Sequence, residues 1–358
     1  MTAPGDDKPG STGHRDERVR HRVVRASRRP VAARKNIWST GTMRASTSAL
    51  TPLPLSVIGV PSSAGSYAPG QERTPRVLRD AGLIAALGRT GADVIDCGDL
   101  PLQVWAPDRE RPLAQNAPDV VASVRELTDR VHTEVSRERR VLVIGGNCTI
   151  ATGAVSGVQQ HTGTACGLVY INRHFDMNTP ETTVQGALDW MGLGHGFDLP
   201  GALPEFASAF DDQPLLGSRQ VAFLGVDPAE GTDFEREHAL RLQLDVTTQQ
   251  EMIAAPEAAA RDALAALTHD HIAVHVDVDV LDFTDAPLSE NSSGRNQGPT
   301  LDQLTAALTV LVADPRWRVL TIGEINPTRA DGVPHMITRV NDVLAGIVTA
   351  AAAAHRQV

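Results

Sequence analysis

Three short segments of this chain carry residue types whose spacing could do metal or acid–base chemistry. The strongest is His271-Ile-Ala-Val-His275-Val-Asp277-Val-Asp279-Val-Leu-Asp282. Side chains alternate along an extended strand, so Asp277 and Asp279 share one face of an otherwise apolar segment. Two carboxylates facing one way in a buried strand repel each other and lose hydration unless a cation lies between them. An exposed edge strand would tolerate the pair, but Val276, Val278 and Val280 alternate opposite it and argue for burial. The second segment is Val169-Tyr-Ile-Asn172-Arg-His174-Phe-Asp176. Asn172, His174 and Asp176 alternate there, and an imidazole and a carboxylate converging at a strand end suit a divalent cation of borderline hardness. Taken alone, a core histidine with a turn-forming aspartate accounts for the same residues. The third is Val141-Leu-Val-Ile-Gly145-Gly146-Asn147-Cys148. Its glycines permit a tight strand-to-helix turn that projects Cys148 where the strand ends. A cysteine beside a buried strand is more often a small packing residue than a ligand.

Such residues need a frame. Leu55–Val60, Asp93–Asp96, Arg140–Ile144, Gly167–Asn172, Gln220–Gly225, Ile272–Val280 and Trp317–Ile325 read as strands. Arg76–Leu87, Ala117–Arg137, Thr149–Val158, Glu257–Leu267, Thr300–Val312 and Asn341–His355 read as helices. Strands alternating with helices predict an α/β fold, a parallel sheet covered on both faces. Ligands of such sheets bind at the carboxyl ends of the strands. All three segments end there. No internal repeat and no further domain boundary is visible after Leu53.

Bulk composition narrows the function. Hydrophobic residues make up 41% of 358 and aromatics only 4%, so the core must be built from Ala, Val, Leu and Ile. No run is expected to reach the roughly 18 apolar residues that span a bilayer. No charged-then-apolar segment of signal type opens the chain. Cys97, Cys148 and Cys166 are an odd set without paired spacing, which predicts reduced thiols and a cytoplasmic protein. The net charge of −10 is uneven: residues 1–50 hold eleven Lys and Arg against four acids, a net of +7, leaving −17 on the remainder. A body this acidic is a poor polyanion binder, so neither nucleic acid nor membrane is an expected partner. The basic head lacks apolar periodicity, and residues 1–52 are predicted to be a disordered tail before a domain spanning 53–358. Contact with nucleic acid or anionic lipid, a transit peptide, or a start at Met43 are the other readings of that head.

The ordered motifs together resemble the ureohydrolase superfamily of arginase, agmatinase and formiminoglutamase. The likeness runs from about Leu55 to Ala350. It rests on Val57-Ile-Gly-Val-Pro61, the Arg73–Leu83 stretch, the Gly145-Gly146 turn, Asp176-Met-Asn-Thr-Pro-Glu-Thr-Thr183, Asp277-Val-Asp-Val-Leu-Asp282 and Gly323-Glu-Ile-Asn-Pro327. The resemblance implies a three-layer αβα, arginase-like fold and a homo-oligomer, trimer or hexamer. It also implies a small guanidino-type substrate, attacked at its guanidinium carbon by a hydroxide bridging two Mn²⁺ ions. By the same resemblance, the metal ligands are drawn from Cys148, Asn172, His174, Asp176, Asp277 and Asp279. Asn178 and Thr183 match the loop that holds the far end of the substrate, and Glu324 the acid facing the guanidinium.

The match is incomplete in informative places. Cys148 stands where the family has a His ligand, Asn147 where it has Asp, Asn172 where an Asp bridges both metals, and Asp189 where a His shuttles protons. Asn is neutral and offers one carbonyl oxygen, so charge is lost where it was shared. A Cys thiolate is a softer ligand and favours Zn²⁺ or Fe²⁺ over Mn²⁺. One ion or partial occupancy is therefore expected, with Mn²⁺ first and Fe or Zn as alternatives. His174, Asp176, Asp277 and Asp279 are expected to converge, with Asn172 and Cys148 at the rim. The proton for the leaving amine must come from Asp189, His195 or water. The nearest motif match is the N-hydroxy-arginine amidinohydrolase type, which also has Cys at this turn. A C–N hydrolase of linear amidines in specialised metabolism is the first reading. A fold kept for binding or assembly after loss of two-metal chemistry is the second.

Overall fold

In the computed structural model, residues 52–290 and 296–355 are described. The expectation for the basic tail falls outside them. The elements in chain order are β1 (Pro54–Gly59), α1 (Thr74–Asp80), α2 (Leu83–Gly88), β2 (Asp93–Asp99), α3 (Ala117–Ser136), β3 (Arg140–Ile144), α4 (Ile150–Thr162), β4 (Gly167–Ile171), α5 (Gly192–Gly196) and α6 (Pro204–Ala207). Then follow β5 (Val221–Val226), α7 (Asp233–Arg241), β6 (Asp245–Thr248), α8 (Gln249–Ala254), α9 (Pro256–Ala266), β7 (Ile272–Asp277), α10 (Leu301–Ala313), β8 (Trp317–Gly323) and α11 (Met336–His355).

The strands form one parallel sheet in the order β2-β1-β3-β8-β7-β4-β5-β6. The late strands β7 and β8 fill the gap left between β3 and β4. Four segments far apart in sequence thus end side by side at the centre of the sheet. Register explains the two cores. Val57, Leu142, Leu320, Val274 and Val169 lie in one row across the sheet and face a core shared with α2, α9, α10 and α11. On the opposite face, Ile58, Val143, Val319, Leu168 and Phe223 pack with residues of α3 and α4. Strands buried on both faces read as continuous apolar runs, which is why they were legible. Truncating one of their large side chains, such as Ile144→Ala, costs about 2–5 kcal/mol. Helices α3 and α4 approach closely through glycine: a Cβ on Gly157 would lie 2.6 Å from the Thr128 carbonyl oxygen.

Four expectations are corrected. The helix expected over Arg76–Leu87 is two short helices, because Gly82 between them takes the left-handed conformation (φ +93°). The strand expected to reach Val280 stops at Asp277, and Val278–Val280 form a 3₁₀ turn. The region 227–256, left without elements, holds α7, β6 and α8, and both helices open on Thr-x-x-Glu capping boxes (Thr232/Glu235 and Thr248/Glu251). Finally, α11 is long and apolar enough to cross a membrane by length and composition, contrary to the expectation that no segment is. Val340, Leu344, Ile347, Val348 and Ala351 of α11 are, however, buried in the core beneath the sheet.

Candidate metal and active site

The carboxyl ends of β3, β4, β7 and β8 carry the three segments and Glu324. After β3, Gly145 and Gly146 take positive φ (+87° and +83°), and a Cβ on Gly145 would lie 2.9 Å from the Val60 carbonyl oxygen. This turn brings Cys148 over the sheet. After β7, the turn replaces alternation as the device that joins the two acids: Asp277 Oδ1 accepts the Asp279 N–H at 2.7 Å. Asp176 and Glu324 both hold left-handed backbone conformations (φ +51° and +64°). Such positions cost on the order of 1–3 kcal/mol each and gather at functional sites.

Two donor sets result. His174, Asp277 and Asp279 offer ligand atoms all within 4.8 Å of one another, and so do Cys148, Asp176 and Asp277. Asp277 belongs to both. His174 Nδ1 lies 3.2 Å from Asp279 Oδ2, while its Nε2 lies 3.0 Å from Glu230 Oε2. A carboxylate behind a histidine fixes its tautomer and ring orientation toward a cation. Cys148 Sγ is 3.2 Å from Asp277 Oδ2. Cys148 and Asn172 are not at the rim: both are buried, Cys148 lining the cavity and Asn172 packed behind it. The Asn172 carboxamide is committed to neighbours, its Oδ1 accepting the His174 N–H at 2.7 Å and its Nδ2 donating to Asp176 Oδ2 at 2.6 Å.

The electrostatics fit a cation. Burial first, then Asp279, raises the Asp277 carboxyl well above the usual range. Burial raises Asp176 to about 8, against the lowering influence of His174. Burial and then Asp189 raise Glu324. Burial pushes the Cys148 thiol up, with Asp277 next. The His174 imidazole is held well above its ordinary value by Asp279 in spite of burial. Each of these carboxyls is held toward its neutral form, and entering positive charge favours its ionisation. A divalent cation fits His174, Asp277 and Asp279, and a softer one also fits the set containing Cys148.

A cavity of about 350 Å³ opens above these donors, lined also by Tyr67, Gln185, Ala187, Asp189, Trp190 and Glu324. Burial raises Asp189 to about 7. Glu324 Oε1 accepts the Cys148 N–H at 3.0 Å, and its Oε2 accepts from Gln71 Nε2. His195 lies elsewhere: it is not a wall residue, its Nδ1 meets the Met191 carbonyl at 2.6 Å and its ring packs on Phe206. It is not placed to deliver a proton in the cavity. Asn178 and Thr183 are likewise outside the wall. Asn178 Oδ1 accepts from Thr182 and Thr232, and Thr183 Oγ1 closes a local turn with Gln185.

Tyr67, Gln71, Glu230 and His275 were not singled out from sequence. His275, one register step below the site on β7, has Nδ1 2.7 Å from Thr321 Oγ1 and Nε2 3.4 Å from Cys148 Sγ. It also stacks on Tyr170, whose hydroxyl donates to Asp176. The alternation His275-Val-Asp277 carried a signal for it. Glu230 sits in a loop and carried none.

An αβα protein with buried acids, one histidine and one thiol at the ends of its central strands carries the donors that a divalent cation takes. The chain belongs to the arginase family, whose profile matches residues 54–348. Human arginase-1 is 32% identical over 181 residues, covering 49% of this chain and 56% of that protein. Mouse arginase-1 is 33% identical over 190 residues, covering 50% and 56%. The match spans about half the length of these curated relatives. Among solved structures, the arginase from Bacillus cereus superposes with a TM-score of 0.72 at 23% identity, covering 84% of this chain and 98% of that one. A Trypanosoma cruzi formiminoglutamase with Mn²⁺ gives 0.64 at 15% identity, covering 84% and 94%. Below 25% identity these two speak for the fold.

Proposed function

We propose that this chain is a metal-dependent hydrolase of a C–N bond in a small linear amidine or guanidino compound. The observation that carries the reading is the convergence of His174, Asp277 and Asp279 beneath a cavity whose wall includes the buried Glu324. His174, Asp277 and Asp279 would hold one ion, and Cys148, Asp176 and Asp277 the weaker place. A bound cation lowers the pKa of water toward neutrality and so supplies the nucleophile. Glu324 orients the substrate: its carboxyl is costly to ionise in this site, and an amidinium beside it offsets that cost. Asp189 holds a proton near neutral pH and faces the cavity, so it is the group that protonates the leaving amine. Tyr67, Ala187 and Trp190 supply carbon surface to the cavity wall.

His174 is the one basic side chain on the described wall, and it faces Asp279 and Glu230. A substrate bearing a carboxylate at its far end therefore meets no cation there. We assign Mn²⁺ first, with Zn²⁺ or Fe²⁺ favoured by Cys148, a cytoplasmic location and a homo-oligomer as parts of the same proposal. Arginine, agmatine, guanidinobutyrate and N-hydroxy-arginine are to be assayed with Mn²⁺, Fe²⁺ and Zn²⁺ for urea or hydroxyurea. Release of either product with a metal, lost in Glu324→Gln, is expected. No product from any pair would leave the binding role as the better reading.

A further inference from the structure

A second cavity of about 360 Å³ lies at the opposite, amino-terminal end of the same central strands and shares no wall residue with the active-site cavity. Arg140 opens β3, His271 immediately precedes β7, and Arg318 is the second residue of β8. With His161 from the last turn of α4, these residues converge on the cavity from four elements. Arg139 also lines it but is already engaged, with Nη1 2.7 Å from Asp93 Oδ2 and Nη2 2.7 Å from the Leu55 carbonyl. Arg140 and Arg318 are different. Neither makes an ion pair among the described residues, and their guanidinium groups reach only backbone carbonyls: Arg140 Nη2 to Pro315 at 3.4 Å, Arg318 Nη1 to Pro315 at 2.8 Å and Trp317 at 3.0 Å.

Two buried nitrogens here have no hydrogen-bond partner, Arg140 Nε and His271 Nδ1. An unpartnered buried N–H on a guanidinium such as that of Arg140 is costly, and an oxyanion accepting from it would remove the cost. Glu138 is the one acid on the described wall. Burial and the neighbouring Arg318 push the Arg140 guanidinium down to about 10, which a bound anion would reverse. All this occurs on a chain whose net charge is −10, so general basicity does not explain it.

We propose that this cavity binds a small oxyanion of two or more negative charges, held by Arg140 and Arg318 with His161 and His271 at its edge. Guanidinium forks take phosphate and carboxylate oxygens alike, so the shared chemistry is the multivalent oxyanion.

The test is calorimetric titration of the full chain with inorganic phosphate, pyrophosphate and citrate, at ionic strength matched with chloride. Saturable binding of at least one of them with a Kd of about 1 mM or tighter is expected. Tighter binding of the phosphates would point to a phosphorylated ligand, and tighter binding of citrate to a polycarboxylate. Arg140→Gln and Arg318→Gln should each weaken it by about tenfold or more, and Arg318→Lys by less, because charge is kept while the fork is lost. His271→Gln gives a second reading if either arginine variant fails to fold, which the far-UV dichroism of each would reveal. No saturable binding of any of the three anions would overturn the proposal. So would equal affinity in every variant that folds.

Discussion

At the scale of single residues, Asp277 is the hinge of the site, because it belongs to both donor sets and no other side chain does. Asp277→Asn should abolish tight cation binding, read by titration of the metal-free protein with Mn²⁺ or Zn²⁺. Unchanged affinity would mean that the ion sits elsewhere. Glu230 acts one step back, through His174. It is pulled down to about 2 by its hydrogen bond to His174 and then by Arg173, so it is ionised across the useful pH range. Glu230→Gln should lower metal affinity about 10–100-fold, as for other outer partners of ligating histidines. The fold should be left intact. Asp189→Asn retains the shape and removes the acid. It should depress turnover and flatten the pH–rate profile near 7 while leaving cation affinity within a few-fold. An unaltered profile would return proton delivery to water.

At the scale of elements, precision comes from turns and close approaches more than from the strands. Helix α4, which follows the turn carrying Cys148, packs closely on α3 through Gly153 and Gly157. Gly157→Ala would force a Cβ to within 2.6 Å of the Thr128 carbonyl oxygen. It should cost about 1–3 kcal/mol. Denaturant unfolding would measure it, and a neutral result would show that α3 can shift freely. The central strands were legible because each is a short apolar run buried on both faces. The Asp277/Asp279 pair was legible for a related reason: acids inside such a run demand a partner. The manner of their convergence was not. An alternating strand and a strand followed by a 3₁₀ turn have the same sequence pattern over three residues, and only packing chooses between them. Glu230 lies in a turn and Gln71 opens a single 3₁₀ turn (Gln71–Arg73), segments too short for periodicity to mark a residue that meets a partner across the fold. Asp189 was found by position, but its raised pKa depends on burial that sequence does not report. His195 was expected on proximity in the chain, and a buried turn of α5 directs it away. The capping boxes of α7 and α8 were readable and marked elements that apolar patterning alone missed.

At the scale of the whole molecule, the site is a store of unfavourable charge that a cation relieves, and pH should expose it. Asp176 and Asp189 are raised to about 8 and about 7, and Asp277 and Glu324 are raised well above the ordinary carboxylate range, chiefly by burial. A carboxyl with a raised folded pKa binds more protons folded than unfolded, so its contribution to stability falls as pH rises from the unfolded value through the folded one. His174, also raised, acts in the same direction above its ordinary 6.5. His195 and His275 are lowered by burial and oppose this only below 6.5. Between pH 6.5 and 8 all the named groups therefore agree. The metal-free protein should lose stability across that window, followed by thermal unfolding in chelator. Added Mn²⁺ or Zn²⁺ should remove most of the loss, and an equal loss with and without metal would show that these acids are not the cause. The central claim is that His174, Asp277 and Asp279 form a cation site on which hydrolysis depends. The most direct measurement is the metal content of the purified full chain, with and without Asp277→Asn, after dialysis against Mn²⁺ and Zn²⁺. About one tightly held equivalent per chain is expected, lost in the variant, with a second ion only at higher concentration. No bound metal, or an equivalent that survives the loss of Asp277, would contradict it.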